Sequence, residues 1–275
     1  MIRPPAVAGK FYPSDPQELA RQIDRFTAPA AEALAPPKIV ARACLVPHAG
    51  YMYSGHVAGA IFASIEIPSR CILLGPRHYP RGESMAILTE GSFATPFGEA
   101  PVDAALAREI ADACPRLRED ALAHEREHSL EVEIPFLQRL AENFAFVPIV
   151  LGTDRYPPLE SLARAIAGVV AARAQRGERI LIIASSDMNH YECDAVTRAK
   201  DALAIARILA LDPEGLYHVV RHDQISMCGY AATVAMLAAV RELGAAEARL
   251  VRYATSGDIS GDHDHVVGYA GIVIP

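Results

Sequence analysis

The 275-residue chain reads as an α/β protein, with a mainly parallel or mixed central sheet flanked by helices on both faces. Three observations predict this. Short apolar runs alternate with longer stretches rich in Ala, Leu and Glu. Several of the runs, CILLG, FVPIVLG and ILIIAS, are apolar almost without interruption, as strands covered on both faces are. No fixed-period repeat, low-complexity tract or second composition regime divides the chain, so residues 1–275 are expected to form one domain.

Strands are predicted over Arg42–Pro47, Arg70–Gly75, Ser84–Thr89, Phe144–Leu151, Arg179–Ser185, Arg249–Thr255 and Val266–Ile274. Between them, helices are predicted over Gln17–Phe26, Ser54–Ser64, Asp103–Cys114, Leu130–Glu142, Leu159–Gln175, Asp194–Leu209 and Gly229–Leu243. The Ala- and Pro-rich stretch from Ala28 to Lys38 is the clearest loop, making residues 1–38 an N-terminal arm with its connector.

With 51% hydrophobic and 21% charged residues, the composition can bury a real core and rules out wholesale disorder. The 26 basic and 33 acidic residues leave a net charge of −7, and no run of Lys or Arg exceeds two, which argues against a nucleic-acid partner. No stretch approaches the ~18 apolar residues of a membrane span, and the N-terminus lacks a signal-peptide core. The five cysteines are an odd number at irregular spacing, which suits free thiols and a cytoplasmic location.

Ligands of open α/β sheets bind at the carboxyl ends of strands, so the informative residues are those where an apolar run stops. The first strand ends LVPHAGY with His48 at its tip, the second ends LLGPRHY with His78, and a later one ends IIASSDMNHYE with Asp187 and His190. Cys228, in SMCGY, precedes a helical run, where the helix N-terminus is expected to favour a thiolate. Two imidazoles and one anion on separate loops form a three-point metal site with open positions. A thiolate softens the set toward copper(I), zinc or thiolate-bound iron. His190 is then a spare imidazole able to move a proton, with Asp187 to orient it or hold a substrate.

Other patterns compete. A lone strand-end histidine is more often structural, and Cys228 could be a small buried residue at a helix start; Cys44 and Cys71, inside strands, read as buried. His124 to His128 spells HEREH, which matches the zinc-peptidase pattern H-E-x-x-H. Its intervening residues, Arg126 and Glu127, are charged where a buried helix wants apolar ones, so the match reads as accidental, with His124 on a solvated loop. His128 and Glu131 are candidates for the cleft. His263 and His265 form an H-x-H pair explained by an exposed hairpin or loop. Walker A, dinucleotide-binding and nucleophile-elbow motifs do not occur.

Seven segments in order, RPPAVAGKFYP, VPHAGYMYSG, LLGPRHY, EHSLEVEIPFL, PIVLG, SSDMNHY and MCGY, give a pattern that resembles the Memo family. Its bacterial and archaeal members are called AmmeMemoRadiSam system protein B, and the resemblance runs from Arg3 to nearly the last strand. It implies a fold shared with class III extradiol, LigB-like dioxygenases. It also implies metal ligation by His48, His78 and Cys228, the last where the dioxygenases use a carboxylate, with Asp187 and His190 as cleft residues, His190 matching the acid–base histidine. The implied function is a non-haem Fe(II) or copper site, with zinc as an isolated form, carrying redox or oxygenase-type chemistry. The alternatives are an extradiol-type dioxygenase acting on a catechol-like substrate, and a non-enzymatic peptide- or metal-binding module. A small molecule or peptide would occupy the cleft, and an AMMECR1-type domain and a radical-SAM protein are the partners the family label suggests.

Overall fold

The computed structural model describes residues 1–28 and 37–275; most of the Ala28–Lys38 connector lies outside the described residues. The N-terminal arm carries β1 (Ile2–Arg3) and α1 (Pro16–Thr27), the helix opened by the Asp15 carboxylate, which accepts from the Glu18 amide. Then follow β2 (Ala43–Val46), α2 (Tyr51–Ser64), β3 (Arg70–Pro76), β4 (Met85–Ile87), β5 (Ser92–Thr95), β6 (Gly98–Pro101), α3 (Ala104–Ala113), β7 (Arg118–Glu119) and α4 (Ala121–His124). A 3-10 turn over Glu131–Glu133 leads into α5 (Ile134–Leu140), β8 (Ala145–Leu151), α6 (Tyr156–Ala174), β9 (Leu181–Ser185) and β10 (His190–Glu192). The chain closes with α7 (Asp194–Leu209), α8 (Pro213–His222), α9 (Tyr230–Glu242), β11 (Arg249–Thr255), α10 (Gly257–Ser260) and β12 (Val266–Ile274).

Nine strands form the central sheet in the order β10-β12-β2-β9-β3-β8-β4-β7, with β11 also paired to β12. The inner four, β2, β9, β3 and β8, are mutually parallel, whereas β12 runs antiparallel to β2 and β4 antiparallel to β8. The sheet is therefore mixed, and its parallel centre explains the uninterrupted apolar runs. Ala43, Leu45, Ile72, Leu74, Ile182 and Ala184 join one core with α3, α6, α7, α8 and α9. Their neighbours Cys44, Val46, Cys71, Leu73, Leu181 and Ile183 join the other with α1, α2 and α5. Each residue faces one layer of helices or the other, so no position in these strands can be polar without cost. No helix among the described residues is long and apolar enough to cross a membrane.

The structure departs from expectation where local signals are brief. The predicted helix Leu130–Glu142 is a 3-10 turn followed by α5, because Pro135, in the first turn of α5, has no N–H to donate to the Glu131 carbonyl, which takes the Ile134 amide instead. Helix α8 was not predicted, although Asp212 caps it by accepting from the Gly215 amide and Pro213 opens it. A small second sheet, β1-β5-β6, was also not predicted; its parallel β1–β5 pair joins residues about ninety positions apart. It anchors the arm.

Candidate metal centre

Register brings the first residues together. Val46 lies opposite Ser185 in the parallel β2–β9 ladder, so His48 and Asp187 emerge side by side two residues later. The His48 amide donates to Asp187 Oδ1 at 2.9 Å. On the other side of β9, β3 delivers His78 two residues past its end, and the His48 and His78 rings meet at 5.2 Å between centroids. Cys228 approaches from across the sheet, at the start of α9. The adjacent Gly229 amide donates to Ser186 Oγ at 2.8 Å, and a Cβ on Gly229 would lie 2.3 Å from the Ser185 carbonyl oxygen. Glycine is required there. The result places Cys228 Sγ 3.3 Å from His48 Nε2.

One donor atom from each of His48, His78 and Cys228 lies within 4.8 Å of the other two. A cation about 2.1 Å from nitrogen and about 2.3 Å from sulfur holds such a pair roughly 3.1 to 3.6 Å apart, so the spacing suits ligation. Hydrogen bonds behind the rings fix the tautomers. His78 Nδ1 donates to Glu127 Oε1 at 2.8 Å and His48 Nδ1 to Ser185 Oγ at 2.8 Å, which leaves both Nε2 lone pairs free. Glu127 also accepts from the His78 and Ser129 amides. Burial would raise its carboxyl, but the His78 hydrogen bond, the neighbouring imidazoles and the Ser129 amide prevail and hold it at about 2.

His48, His78 and Cys228 line a cavity of about 590 Å³, together with Phe11, Asp187, His190, Tyr191 and Tyr269. His128 forms part of the wall, stacked on His78 with centroids 4.4 Å apart and met edge-on by Phe11. Burial, then the His48 and His78 rings, lower its pKa to about 4, so it is neutral at physiological pH. Burial, and next His78, likewise push His48 well below the ordinary imidazole range. Asp187 is raised by burial against the opposing pull of His190.

A profile described as Memo-like protein matches residues 3–273. The chain belongs to the Memo family. It is 38% identical to a MEMO1 family protein of Methanopyrus kandleri over 99% of each chain. The identity is 39% to one of Pyrobaculum aerophilum, over 99% of this chain and 98% of the relative, and 40% to one of Sulfolobus acidocaldarius, over 99% of both.

Several expectations for this Memo-family site need correction. Ser226, rather than Asp187, orients His190: the ring Nδ1 donates to the Ser226 carbonyl at 2.9 Å and the His190 amide to Ser226 Oγ at 2.7 Å. The Gly229 amide at the helix start favours the Cys228 thiolate but does not prevail. Burial first, and then the Asp187 charge, push the thiol up, outweighing the neighbouring donors. Glu131 does not face the cavity. It is fully buried beneath the arm, where its carboxylate pairs with Arg3 and accepts from the Ala6 and Val7 amides and the Tyr12 hydroxyl. As expected, HEREH is not a zinc-peptidase helix, because α4 ends at His124. His124 is not solvated: it is buried, and its Nδ1 donates to the Asp120 carbonyl. His263 and His265 are exposed, as expected for a loop.

Sequence reasoning missed Ser185, Ser226 and Glu127 as supports of the site. Ser185 and Ser226 are small polar residues that pack beside His48 and His190, and in the sequence Glu127 stands out only as part of HEREH. The available signal was position: Ser185 closes a strand, where the next residues enter the cleft.

Proposed function

We propose that this Memo-family chain binds one transition-metal ion, iron(II) or copper, through His48 Nε2, His78 Nε2 and Cys228 Sγ, and acts in redox or oxygenase-type chemistry on a small molecule held in the cavity. The observation that carries the reading is the convergence of three donors from separate loops, with both imidazoles held in the ligating tautomer. The half-buried thiol is the remaining requirement: it ligates as the thiolate, so metal loading displaces a proton from Cys228. A bound iron or copper ion supplies one-electron chemistry and open coordination positions.

The surrounding residues can bind, screen and move a proton. Phe11 and Tyr269 supply apolar walls that favour a partly apolar ligand. His190 lines the same cavity with its Nδ1 proton committed to Ser226, so Nε2 is the atom available to accept a proton from a bound ligand. Asp187 keeps the His48 backbone in place through its Oδ1 and adds negative charge beside the cation.

The test is element-resolved metal analysis of protein purified anaerobically, repeated on Cys228→Ser, with Co(II) titration following sulfur-to-metal charge-transfer absorption. Near-stoichiometric iron or copper in wild type, and loss of both metal and charge-transfer band in the variant, support the reading. If both proteins emerge metal-free and wild type shows no such band with Co(II), the reading fails.

A further inference from the structure

Behind His48 lies a buried carboxyl that the cation site does not use directly. Glu133 ends the 3-10 turn before α5, but its side chain caps no helix amide. Its Oε1 lies 3.0 Å from Ser185 Oγ, while Oε2 is buried without a partner. No cationic side chain forms an ion pair with Glu133 among the described residues. The groups facing it are Ser185 from β9, Cys44 from β2, Tyr51 from α2 and Asp187 beyond β9, none of them a cation. The Tyr51 hydroxyl donates elsewhere, to the Val132 carbonyl at 2.8 Å.

Hydrogen counting at Ser185 decides the state of Glu133. Three groups surround that hydroxyl oxygen: the Ser129 carbonyl at 2.7 Å, His48 Nδ1 at 2.8 Å and Glu133 Oε1 at 3.0 Å. A serine hydroxyl donates once and accepts twice. The Ser129 carbonyl can only accept, so at 2.7 Å it takes the single hydroxyl proton. Ser185 must then accept from both remaining neighbours. His48 supplies its Nδ1–H, and Glu133 can supply a hydrogen only as a carboxylic acid. A carboxylate would set two oxygens with unshared pairs against each other, and would leave an ionised, unpaired Oε2 in the core.

We infer that Glu133 is a neutral carboxylic acid in the folded protein, donating to Ser185 and completing the shell that holds His48, a positioning residue for the cation site. Burial pushes its carboxyl well above the ordinary range, which agrees with the hydrogen count. The consequence is an asymmetric pair of imidazoles. His78 is backed directly by the Glu127 carboxylate, whereas His48 is backed at Nδ1 by a neutral hydroxyl and, behind it, a neutral acid. This last role rests on the cation site proposed above; the protonation state does not.

Glu133→Gln is the test, because an amide can donate to Ser185 as the acid does and cannot ionise. A group protonated in the folded state and ionised in the unfolded state makes the unfolding constant of wild type, relative to E133Q, rise about tenfold per pH unit, roughly 100-fold between about pH 5 and pH 7. A flat ratio across that range overturns the assignment. If E133Q does not fold, infrared difference spectra of wild type against Ser185→Ala serve instead: a protonated-carboxyl C=O band that moves when the acceptor is removed supports it, and the absence of one overturns it. With Co(II) as the probe, E133Q should keep affinity within about threefold, while Ser185→Ala, which strips the Nδ1 partner, should lose roughly 10- to 100-fold. Equal loss in both variants would sink the positioning role, whereas a wild type that takes no Co(II) would sink the proposed function and leave the stability measurement standing.

Discussion

Replacing Glu131 with glutamine should loosen the N-terminal arm and with it the cavity wall. Glu131 is fully buried and Arg3 is 5% exposed; the carboxylate receives Arg3, the Ala6 and Val7 amides and the Tyr12 hydroxyl. A glutamine carbonyl can accept two of these, and its NH2 can donate to Tyr12 once that hydroxyl rotates. At least one donor is left over, and the guanidinium loses its only carboxylate partner among the described residues. Arg3 keeps three carbonyls, those of His124 at 2.8 Å, Glu127 at 2.6 Å and Pro4 at 3.2 Å, which tempers the loss. Breaking a buried ion pair from one side costs about 3–5 kcal/mol, so the lower end, about 3 kcal/mol, applies here. For a chain of this length that is a fall in Tm of roughly 5 °C. Urea unfolding measures the global change, and hydrogen exchange at the Ala6 and Val7 amides shows whether the arm detaches before the core. Because Phe11 sits on the same arm and meets His128, arm release should also open the cavity. A stability within about 0.5 kcal/mol of wild type, with unchanged amide protection, would refute this account of the arm.

Three further outcomes are expected. Asp201 is buried, accepts from the Asn189 amide and the Tyr253 hydroxyl, and is raised by burial from 3.8 to about 6. The folded state therefore holds the extra proton between those values, and stability relative to Asp201→Asn should fall by about 3 kcal/mol as pH rises from 4 to 6, then level off; urea unfolding at several pH values checks this, and a rise would contradict it. Glu127→Gln should weaken Co(II) binding about 10- to 100-fold, since the amide is a poorer acceptor for His78 Nδ1; affinity equal to wild type in a chelator competition would argue against that support. Gly229→Ala should destabilise by about 1–3 kcal/mol because its Cβ would meet the Ser185 carbonyl oxygen at 2.3 Å, and thermal unfolding unchanged from wild type would show that the approach is not tight.

Much of the architecture is legible in the chain. Runs such as CILLG and ILIIAS announce strands buried on both faces, and the cores on either side of β3 and β9 are what such runs require. The small sheet β1-β5-β6 is not legible, because β1 has two residues and its partner lies far along the chain. Within the site, His48, His78 and Asp187 could be found because strand ends mark the ligand edge of a parallel sheet, a rule that local sequence can express.

The amino-acid sequence by itself determined the alternation of strands and helices, the family pattern, and the residue types at the strand tips, since these follow from local propensity and from which runs must avoid water. Tertiary structure alone decided which side chains meet. Cys228 reaches His48 across 180 positions, Glu127 turns to His78 while Glu131, four residues on, turns to the arm, and Ser226 rather than Asp187 holds His190. Such pairings depend on distances and hydrogen-bond directions set when separate layers pack, and no neighbour in the chain carries that information.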